Sequence, residues 1–487
     1  MRFESIGEWK TAASLIAATV LAGGCAVGPD YHAPPATAPT AWSGSQSAGI
    51  TSNPADTATW WKSFGDAELD SLIGRAVKSN PDLSAAEARL RQARALRELS
   101  AANLRPSADV SGSYAKEKIS QNQPLFGALP LPKNFPFEYS VYQAGFDASW
   151  EIDIFGGKRR ELEAASAEWG GAVEARNDAL VSLVAEVARN YVELRGAQNE
   201  LEIARQNLKL QQQAVELTQA RFESGIATEL DVARASAVLA GLRAQVPPQE
   251  TAVRQSMYGL AALLGCQPGE LVDELSPVAP IPPAPPEVPI GLPSDLLRRR
   301  PDVRRAERQL AAETARIGAA KSDWFPKFSL TGDAGMESVT FRKWFEPASL
   351  FWSVGPTLQW KALDFGRVRA EVAAQTAVQQ AALAAYEKGV LIALREVEDA
   401  LVGYAQEQNR HTALVQQRAE DRRSLEMARG LNAEGQVNFL DVLDAERSLY
   451  QAEDELAASD QAVSLDLVAI YKALGGGWET AGDHPLP

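Results

Sequence analysis

The sequence is poor in the residues that build disulfide frameworks and metal centres. Its 487 residues include 2 cysteines, 3 histidines and 4 methionines, too small a stock for a disulfide scaffold, a zinc cluster or a thioether-rich copper path. After the amino terminus no apolar run reaches the roughly 18 residues of a membrane-spanning helix, so we expect no mature transmembrane helix. Acidic side chains outnumber basic ones by 63 to 48, and the resulting charge of −15 repels phosphate backbones. We therefore expect no nucleic-acid partner.

No catalytic constellation is recognisable either. The histidines, His32, His411 and His484, are scattered and have no company that would make a catalytic triad. Acid pairs such as Glu396 and Glu398 are typical of solvated helix faces. We expect a protein that is not an enzyme and that carries neither a metal nor another cofactor.

The first residues have the features of an export signal. Basic residues flank an apolar run at 11–21, which at about 11 residues is too short to span a bilayer. Small residues and then Cys25 follow, an arrangement that resembles a bacterial lipobox, in which the free thiol takes up a diacylglycerol as a thioether. We predict a signal peptide over 1–24 and a mature chain that begins with a lipidated, palmitate-bearing Cys25. The alternative is an ordinary cleaved signal with a chance cysteine.

The rest of the chain is an internal repeat. Pro81-Asp82 recurs 220 residues later as Pro301-Asp302, and Trp150 recurs 210 residues later as Trp360. Further matches at these offsets extend through both halves, and a proline-rich stretch typical of an extended linker separates them. We predict these segments: a signal peptide, 1–24; a lipidated amino-terminal extended segment, 25–65; a first structural repeat, 66–266; a proline-rich linker, 267–293; a second structural repeat, 294–478; and a carboxy-terminal tail, 479–487.

Each repeat predicts a β-hairpin followed by two long helices. We expect the hairpins at about 106–152 and 326–361, because apolar and polar side chains alternate there. We expect the helices at about 157–264 and 367–474, where apolar residues recur with the period of a helix and glycines mark the reversals. The pair Pro247-Pro248 predicts a kink or a break in one of these helices.

The predicted hairpins carry their apolar side chains at even-numbered positions. This row includes Val110, Phe146, Leu330 and Leu358, whereas the odd-numbered neighbours are mostly polar. Aromatic side chains cluster nearby, as in the interface girdle of a membrane sheet: Phe135, Phe137, Tyr139, Phe341, Trp344, Phe345, Phe351 and Trp352. We interpret the row as lipid-facing; the half-buried sheet of a water-soluble protein is the alternative. Four strands cannot close a barrel and lipid does not tolerate open strand edges, so several chains would have to share one barrel.

Three sequence motifs carry a family resemblance. They are CAVGPDY at 25–31, LPSDLLRRRPDV at 292–303 and YKALGGGW at 471–478. With them the chain resembles the TolC-like outer-membrane factors of Gram-negative tripartite efflux systems and, within that family, the NodT-type lipoprotein branch. The resemblance implies an α+β fold with a membrane β-barrel to which each chain of a homotrimer gives four strands. It also implies a long periplasmic α-helical tube and a mixed equatorial region.

The resemblance implies a function and partners as well. The protein would be the outer-membrane channel of an RND-type tripartite pump, a passive duct that exports small toxic compounds, as in multidrug resistance. Its partners would be a periplasmic adaptor (a membrane fusion protein), an inner-membrane RND pump and outer-membrane lipid. We expect it in the cell outer membrane, lipid-anchored, with a large periplasmic part. Three alternatives stay open: a duct for type I protein secretion, a metal-ion efflux duct, and a periplasmic helical scaffold that transports nothing.

A charged segment follows the second helix reversal. Asp441 and Asp444 are three residues apart and so share one helix face, next to Leu440 and Arg447. The resemblance matches the two aspartates to acidic rings that constrict the periplasmic entrance of TolC-like channels, and Leu440 and Arg447 to gate positions. Three-fold symmetry would turn each aspartate into a ring of like charges that cations or arginines must compensate. The alternative is an ordinary solvated acidic pair.

The reversals themselves are candidate contacts for the adaptor. The residues we predict there are Gly225, Thr228, Leu230, Asp231, Gly435, Val437 and Asn438. Leu230 and Asp231 of the first repeat match Leu440 and Asp441 of the second, but no acidic residue matches Asp444. The alternative is a pair of simple hairpin turns that bind no partner.

Overall fold

The structure, a computed structural model, describes residues 26–35, 39–43, 50–51, 53, 57–120, 136–285 and 287–479. The predicted signal peptide, the predicted lipidation site Cys25 and the girdle residue Phe135 lie outside these residues. The chain divides into two compact units. The first draws on Met1–Pro34, Arg91–Gly171 and Glu307–Ala385, and the second on Pro35–Leu90, Ala172–Ala306 and Tyr386–Pro487. Each unit therefore takes segments from both sequence repeats.

The helices and strands recur in the same order in both halves of the chain. The helices are α1 (Ala67–Ser79), α2 (Pro81–Ala102), α3 (Gly157–Glu223), α4 (Glu229–Leu263), α5 (Val272–Leu275), α6 (Pro293–Arg299), α7 (Pro301–Ser322), α8 (Arg367–Ala433) and α9 (Phe439–Ala473). The strands are β1 (Ile50–Thr51), β2 (Ser107–Lys118), β3 (Glu138–Ile152), β4 (Val288–Pro289), β5 (Lys327–Ser338) and β6 (Leu350–Gln359). The same order of elements, one helix followed by two strands and then two long helices, thus occurs twice along the chain. The predicted α+β fold class and internal repeat are confirmed.

Local sequence signals set the helix ends. The Asp66 side chain caps α1 by accepting hydrogen bonds from two backbone N–H groups, at 2.9 and 3.0 Å. Pro81 and Pro301 are the first residues of α2 and α7, where a missing N–H costs nothing. Pro247 and Pro248 lie inside α4, yet the helix is not divided. No helix in the described ranges is both long enough and apolar enough to cross a membrane.

The first unit contains an antiparallel sheet in the order β2-β3-β5-β6. Its register joins even-numbered residues to one another: Val110 faces Phe146, Phe146 faces Ala334, and Ala334 faces Trp352. Because side chains alternate along a strand, the whole even-numbered row shares one face of the sheet. Val110 is 75% exposed and Trp352 is 71% exposed. One face of this sheet is therefore apolar, and the described residues leave it uncovered.

The odd-numbered face of the same sheet is polar. Asp109 faces Asp147, Asp147 faces Asp333, and Asp333 faces Ser353 on adjacent strands. Ser111 donates a hydrogen bond to Asp147 at 3.3 Å, and Ser353 donates one to Asp333. Directly opposed carboxylates destabilise a sheet unless water or counter-ions screen them. This face is suited to water.

Aromatic side chains gather at one end of the sheet. The ring of Tyr142 lies 4.9 Å from that of Tyr114 and 5.5 Å from that of Phe341. Trp344 lies 5.9 Å from Phe341 and 4.9 Å from Phe345, between ring centroids. The predicted girdle residues between β5 and β6, Phe341, Trp344 and Phe345, thus form one connected cluster with two tyrosines of β2 and β3.

An amino-terminal segment, residues 26–31, crosses the helices of the first unit; we call it the amino-terminal strap. The backbone N–H of Val27 donates to the carbonyl of Phe155 at 3.0 Å. Gly28 has a φ of +105°, and a Cβ there would overlap the Cα of Gly318 in α7. Only glycine fits this crossing, because both the dihedral angle and the space exclude a side chain.

Arg160 holds the amino-terminal strap in place. Its side chain is 5% exposed, and the guanidinium donates to the carbonyl of Val27 at 3.3 Å, to Asp30 at 2.7 Å and to Glu163 at 2.7 Å. The hydrogen bond and charge of Arg160 hold the pKa of Asp30 below its usual value. Two residues of the motif at 25–31 therefore have a structural reason: Gly28 permits the close crossing with α7, and Asp30 pairs with the buried Arg160.

The second unit is built on an apolar core between helices. Leu69, Leu180, Leu260, Leu401 and Leu467 are each 1% exposed or less. These leucines come from α1, α3, α4, α8 and α9, so both repeats contribute to one core. At about 25 cal/mol per Å² of apolar surface, such burial is the main stabilising term of the unit.

The motif at 292–303 supplies Arg300, a buried arginine that pairs with two acids in the second unit. The Arg300 side chain donates to Asp302 at 2.7 and 2.9 Å and to the carbonyl of Ala473 at 3.1 Å, and it pairs with Glu396 at 2.7 Å. Burial alone would raise the pKa of Asp302, but the hydrogen bonds and charge of Arg300 outweigh it and lower that pKa. The arginine and aspartate of this motif therefore join the start of α7 to the end of α9.

Candidate functional site: the helical hairpin tips

The two long hairpins reverse through turns of the same geometry. Residues 224–228 join α3 to α4, and residues 434–438 join α8 to α9. Gly225 and Gly435 both have a φ of +74°. At each turn a backbone N–H, that of Ile226 or of Gln436, donates to a carbonyl five residues earlier at 2.8 Å. This is a usual way for a glycine to end a helix, and the two repeats share the glycine conformation and this hydrogen bond.

A capping box starts the returning helix in each repeat. In the first, the backbone N–H of Asp231 donates to the Thr228 hydroxyl at 3.2 Å, and the Thr228 N–H donates to the Asp231 carboxylate at 2.9 Å. In the second, Asp441 and Asn438 exchange the corresponding bonds at 3.1 Å each. Backbone and side-chain bonds from Thr228 lower the pKa of Asp231. Asp441 therefore has a local task, the cap of α9.

The other candidate gate residues lie on the first three turns of α9. Asp444 and Arg447 form an exposed ion pair on the same helix, with 3.5 Å between Oδ1 and Nη2. Leu440 is also exposed. All four candidates are thus close together on one helix, at the end that follows the turn. An exposed pair of this kind contributes about 0–1 kcal/mol, so within one chain these residues add little to stability.

The candidate adaptor residues are accessible. Gly225, Thr228, Leu230, Gly435 and Asn438 are exposed, and Asp231 and Val437 are partly buried.

A polar contact joins the two hairpins within the chain. Arg221 donates to the Asn432 side chain at 3.3 Å, and Asn432 donates to the carbonyl of Val437 at 3.1 Å. The turn of the second hairpin is therefore held by a residue of the first.

Glu446 is a buried acid that the sequence does not single out. It lies between Asp444 and Arg447, yet its side chain is 6% exposed and accepts a hydrogen bond from Arg429 of α8 at 2.8 Å. Burial and then the charge of Glu446 raise the pKa of the neighbouring Tyr450 to about 12. The spacing of Glu446 from Val442 and Leu449, four and three residues away, is the signal that it shares their buried face.

Within the part of the chain that the structure describes, no group of three or more His, Cys, Asp or Glu side chains could hold a metal ion. At the tips, Asp231 and Asp441 instead cap their helices. Asp444 pairs with Arg447 on the same helix, and Glu446 pairs with Arg429 on the neighbouring helix. The arrangement gathers charged side chains at the hairpin tips, so the chemistry that it offers is electrostatic.

The comparisons with known proteins agree with this architecture. The model of the outer membrane efflux protein family matches residues 72–266 and 292–476, one stretch in each repeat. The chain is 32% identical to the pyoverdine export outer membrane protein OpmQ of Pseudomonas aeruginosa, covering 96% of this chain and 97% of that one. It is 29% identical to nodulation protein T of Rhizobium leguminosarum bv. trifolii, covering 94% and 96%.

A solved structure is similar over nearly the whole length. The outer-membrane channel OprN matches with a TM-score of 0.87 and 39% identity, covering 93% of this chain and 100% of that chain. The predicted resemblance, the outer-membrane location and the role in efflux are confirmed. The family is one of channel proteins. The two matched stretches, the whole-length relatives and the shared fold show that this chain belongs to the outer membrane efflux protein family.

Proposed function

We propose that three copies of this chain form the passive exit duct of an RND-type tripartite pump for small toxic compounds. The observation that carries the proposal is the sheet with one exposed apolar face and one polar face, on a member of the efflux family. Lipid would cover the apolar face, and water would fill the space behind the polar face.

The edges of the sheet support a shared barrel. In the described part of the chain β2 pairs with β3 alone and β6 pairs with β5 alone, so each has one open edge. An open edge costs several kcal/mol per unpaired backbone group in lipid. Pairing β2 of one copy with β6 of the next would satisfy both edges, and a homotrimer would then close twelve strands.

The helical hairpins support partners in the periplasm. Their tips present exposed residues of both repeats, which suits a periplasmic adaptor that in turn holds an inner-membrane RND pump. Asp444 and Arg447, with Leu440 and Asp441, would line the entrance of the helical tube. A charge of −15 argues against a nucleic-acid partner. No enzymatic step is needed, since energy would come from the inner-membrane pump.

We also propose that Cys25 anchors the chain to the outer membrane by its lipid. The amino-terminal strap begins one residue later and is hydrogen-bonded to Phe155, just after the end of β3. Cys25→Ser should lose the label when cells are fed a radioactive fatty acid, whereas Cys266→Ser should keep it. Equal labelling of Cys25→Ser and wild type would refute lipidation. The mutant should still reach the outer membrane, because the barrel shared by three copies would insert without the lipid anchor.

Two other ducts remain candidates: one for type I protein secretion and one for metal ions. The lipobox and the NodT-type motifs favour the export of small compounds, and OpmQ is named for pyoverdine export. The stock of 4 methionines offers little for metal transfer.

The function is tested with the purified full chain in planar bilayers and in cells. We expect a trimer whose gel migration changes on heating and which opens discrete channels. In an efflux-deficient host, the chain with its own adaptor and pump should lower the accumulation of a small dye. A purified protein that forms no channel, or a host whose dye content is unchanged, would refute the duct.

A further inference from the structure

The two strand pairs of the repeats share one register. Ser107 of β2 faces Ser149 of β3, and Lys327 of β5 faces Gln359 of β6. Lys327 follows Ser107 by 220 residues and Gln359 follows Ser149 by 210, the two offsets of the sequence repeat. The second pair of strands is therefore the counterpart of the first, residue by residue.

A side-chain contact below the strands repeats in the same way. The indole N–H of Trp150 donates to the carbonyl of Leu104 at 3.0 Å, and that of Trp360 donates to the carbonyl of Trp324 at 3.1 Å. These residues are again related by offsets of 210 and 220. A contact made between the repeats can therefore be transposed by the same offsets to the place where one chain would meet the next.

The repeats meet where β3 pairs with β5 and α3 pairs with α7, a contact that we call the internal seam. Here β3 extends to Ile152, and its last three residues pair with residues 328–330 of β5. Their counterparts, residues 360–362, follow the end of β6 at Gln359. Among the described residues no strand pairs with β6 on its far side. We infer that β6 ends early because the strand that would extend it belongs to another chain.

Phe365 shows the same lack of a neighbour. Its counterpart Phe155 stacks on Phe325 across the internal seam, with ring centroids 4.4 Å apart. Phe365 is 99% exposed and has a φ of +51°, a left-handed conformation that residues other than glycine rarely adopt. The residue 220 places before Phe325 is Arg105, which is also exposed. A guanidinium can cover an aromatic face, so Arg105 of a neighbouring copy suits this ring.

The helices next to the strands present unpartnered apolar side chains at the corresponding places. Arg316 of α7 and Glu168 of α3 form an ion pair across the internal seam. The counterparts of this pair are Leu96 of α2 and Val378 of α8. Leu96 is 50% exposed and Val378 is 47% exposed. Two apolar side chains therefore stand where transposition by the repeat offsets would bring them together.

Charge fixes the same register. Transposition of the internal seam brings Lys361, just beyond β6, opposite Asp109 of the next copy, and both side chains are exposed. Opposite charges that face each other across strands stabilise a sheet. A shift of two residues in either direction would place Ser107 or Ser111 opposite Lys361 instead and would lose this pair.

We propose that the contact between neighbouring copies, the copy seam, repeats the internal seam residue for residue, with an apolar contact in place of its ion pair. The second copy is thus the occupant of the open sheet edges, and β6 lengthens to residue 362 on assembly. The proposal rests on the trimer of the proposed function and adds its register. The facing pairs, with the residue of the next copy second, are Thr357–Ser113, Trp360–Val110, Lys361–Asp109, Phe365–Arg105 and Val378–Leu96.

The first test is a disulfide across the copy seam. It uses the full-length chain with Cys25→Ser and Cys266→Ser, so that the introduced thiols are the only ones. Thr357→Cys with Ser113→Cys should link neighbouring copies on mild oxidation, because residues that face each other on paired strands are close enough for a disulfide. Denaturing gels should then show covalent trimers that a reductant separates.

Two further cysteine pairs are the controls. Thr357→Cys with Ser111→Cys is two residues out of register and should stay monomeric on a denaturing gel. Asp147→Cys with Asp333→Cys is the counterpart within the chain, since these two residues face each other. It should lose both free thiols on oxidation without a change in mass.

The second test moves the ion pair of the internal seam to the copy seam. Leu96→Arg or Val378→Glu alone would bury one unpaired charge between copies and should reduce the heat-modifiable trimer at least tenfold. The two changes in one chain recreate the pair of Arg316 with Glu168 and should restore the trimer.

The outcomes separate the copy seam from the duct. Linkage of the out-of-register pair without linkage of the in-register pair refutes the register. The copy seam is also wrong if the pair inside the chain links but the in-register pair does not, in a protein that still migrates as a trimer; the duct then stands. Where a cysteine pair does not assemble or the control inside the chain does not link, the ion-pair exchange decides: harmless single variants, or a double variant without rescue, refute the copy seam. If wild type itself forms no trimer, the proposed function fails.

Discussion

Arginine in place of Leu330 or Leu358 should cost about 2–4 kcal/mol of stability in the membrane if these residues lie near the bilayer midplane. Both side chains belong to the even-numbered apolar face, where the structure leaves them exposed. Lipid would surround a guanidinium there and could not solvate it. The matched controls are the next residues on the same strands, Ser329→Arg and Gln359→Arg, which place the charge on the polar face.

The measurement is the heat-modifiable trimer recovered from outer-membrane fractions. Leu330→Arg and Leu358→Arg should reduce it strongly, and the two controls should retain it. Equal recovery of all four variants would show that the even-numbered face does not meet lipid. Loss of all four would mean that both faces are buried, as in a sheet covered by protein.

Neutralising both gate acids should abolish block by divalent cations and weaken cation selectivity. In a trimer, Asp441 and Asp444 would each form a ring, and several weak pairs acting together could favour the closed state by a few kcal/mol. Asp441→Asn with Asp444→Asn removes six charges from that entrance. Block by divalent cations added on the periplasmic side, and reversal potentials in a salt gradient, are the two measurements.

The capping box of α9 complicates this test and also supplies its control. Loss of a capping side chain costs a helix about 0.5–2 kcal/mol, so Asp441→Asn can loosen the turn without any ring effect. Asp231→Asn weakens the equivalent box of the first hairpin, in which Arg234 stands at the place of Asp444. If Asp231→Asn changes block and selectivity as much as the double variant does, the cap and not a ring is responsible. If the double variant behaves as wild type, the acids are a solvated helix face.

Much of the fold follows from short-range patterns in the sequence. The alternation around Phe146 and Leu330 specifies which face of the sheet is apolar, because side chains in a strand alternate strictly. The helix period specifies the long helices, and Gly225 and Gly435 mark the two reversals, since a left-handed residue favours glycine. These features need no knowledge of the rest of the chain.

Other features depend on partners distant in sequence. Glu446 looks like one more surface charge until α8 is placed beside it, since its burial depends on the phase of both helices. The break predicted as one outcome at Pro247-Pro248 does not occur in α4. Leu242 and Val253, on either side, are buried, and Val253 belongs to the core of the second unit, so packing offsets the lost hydrogen bonds. The cap role of Asp441, by contrast, is readable locally, because Asn438 stands three residues earlier with the spacing of a capping box.

The amino-terminal strap has a consequence for the order of folding. It bonds to Arg160, 133 residues away, and its Tyr31 bonds to Glu307, 276 residues away. Contacts between such distant segments close large loops, and the contacts offset the lost chain entropy only once both distant segments are in place. We therefore expect the strap to dock late, after α3 and α7 have met. Until then the chain end stays open to protease, so resistance to cleavage near residue 26 would report when a newly exported chain has finished folding.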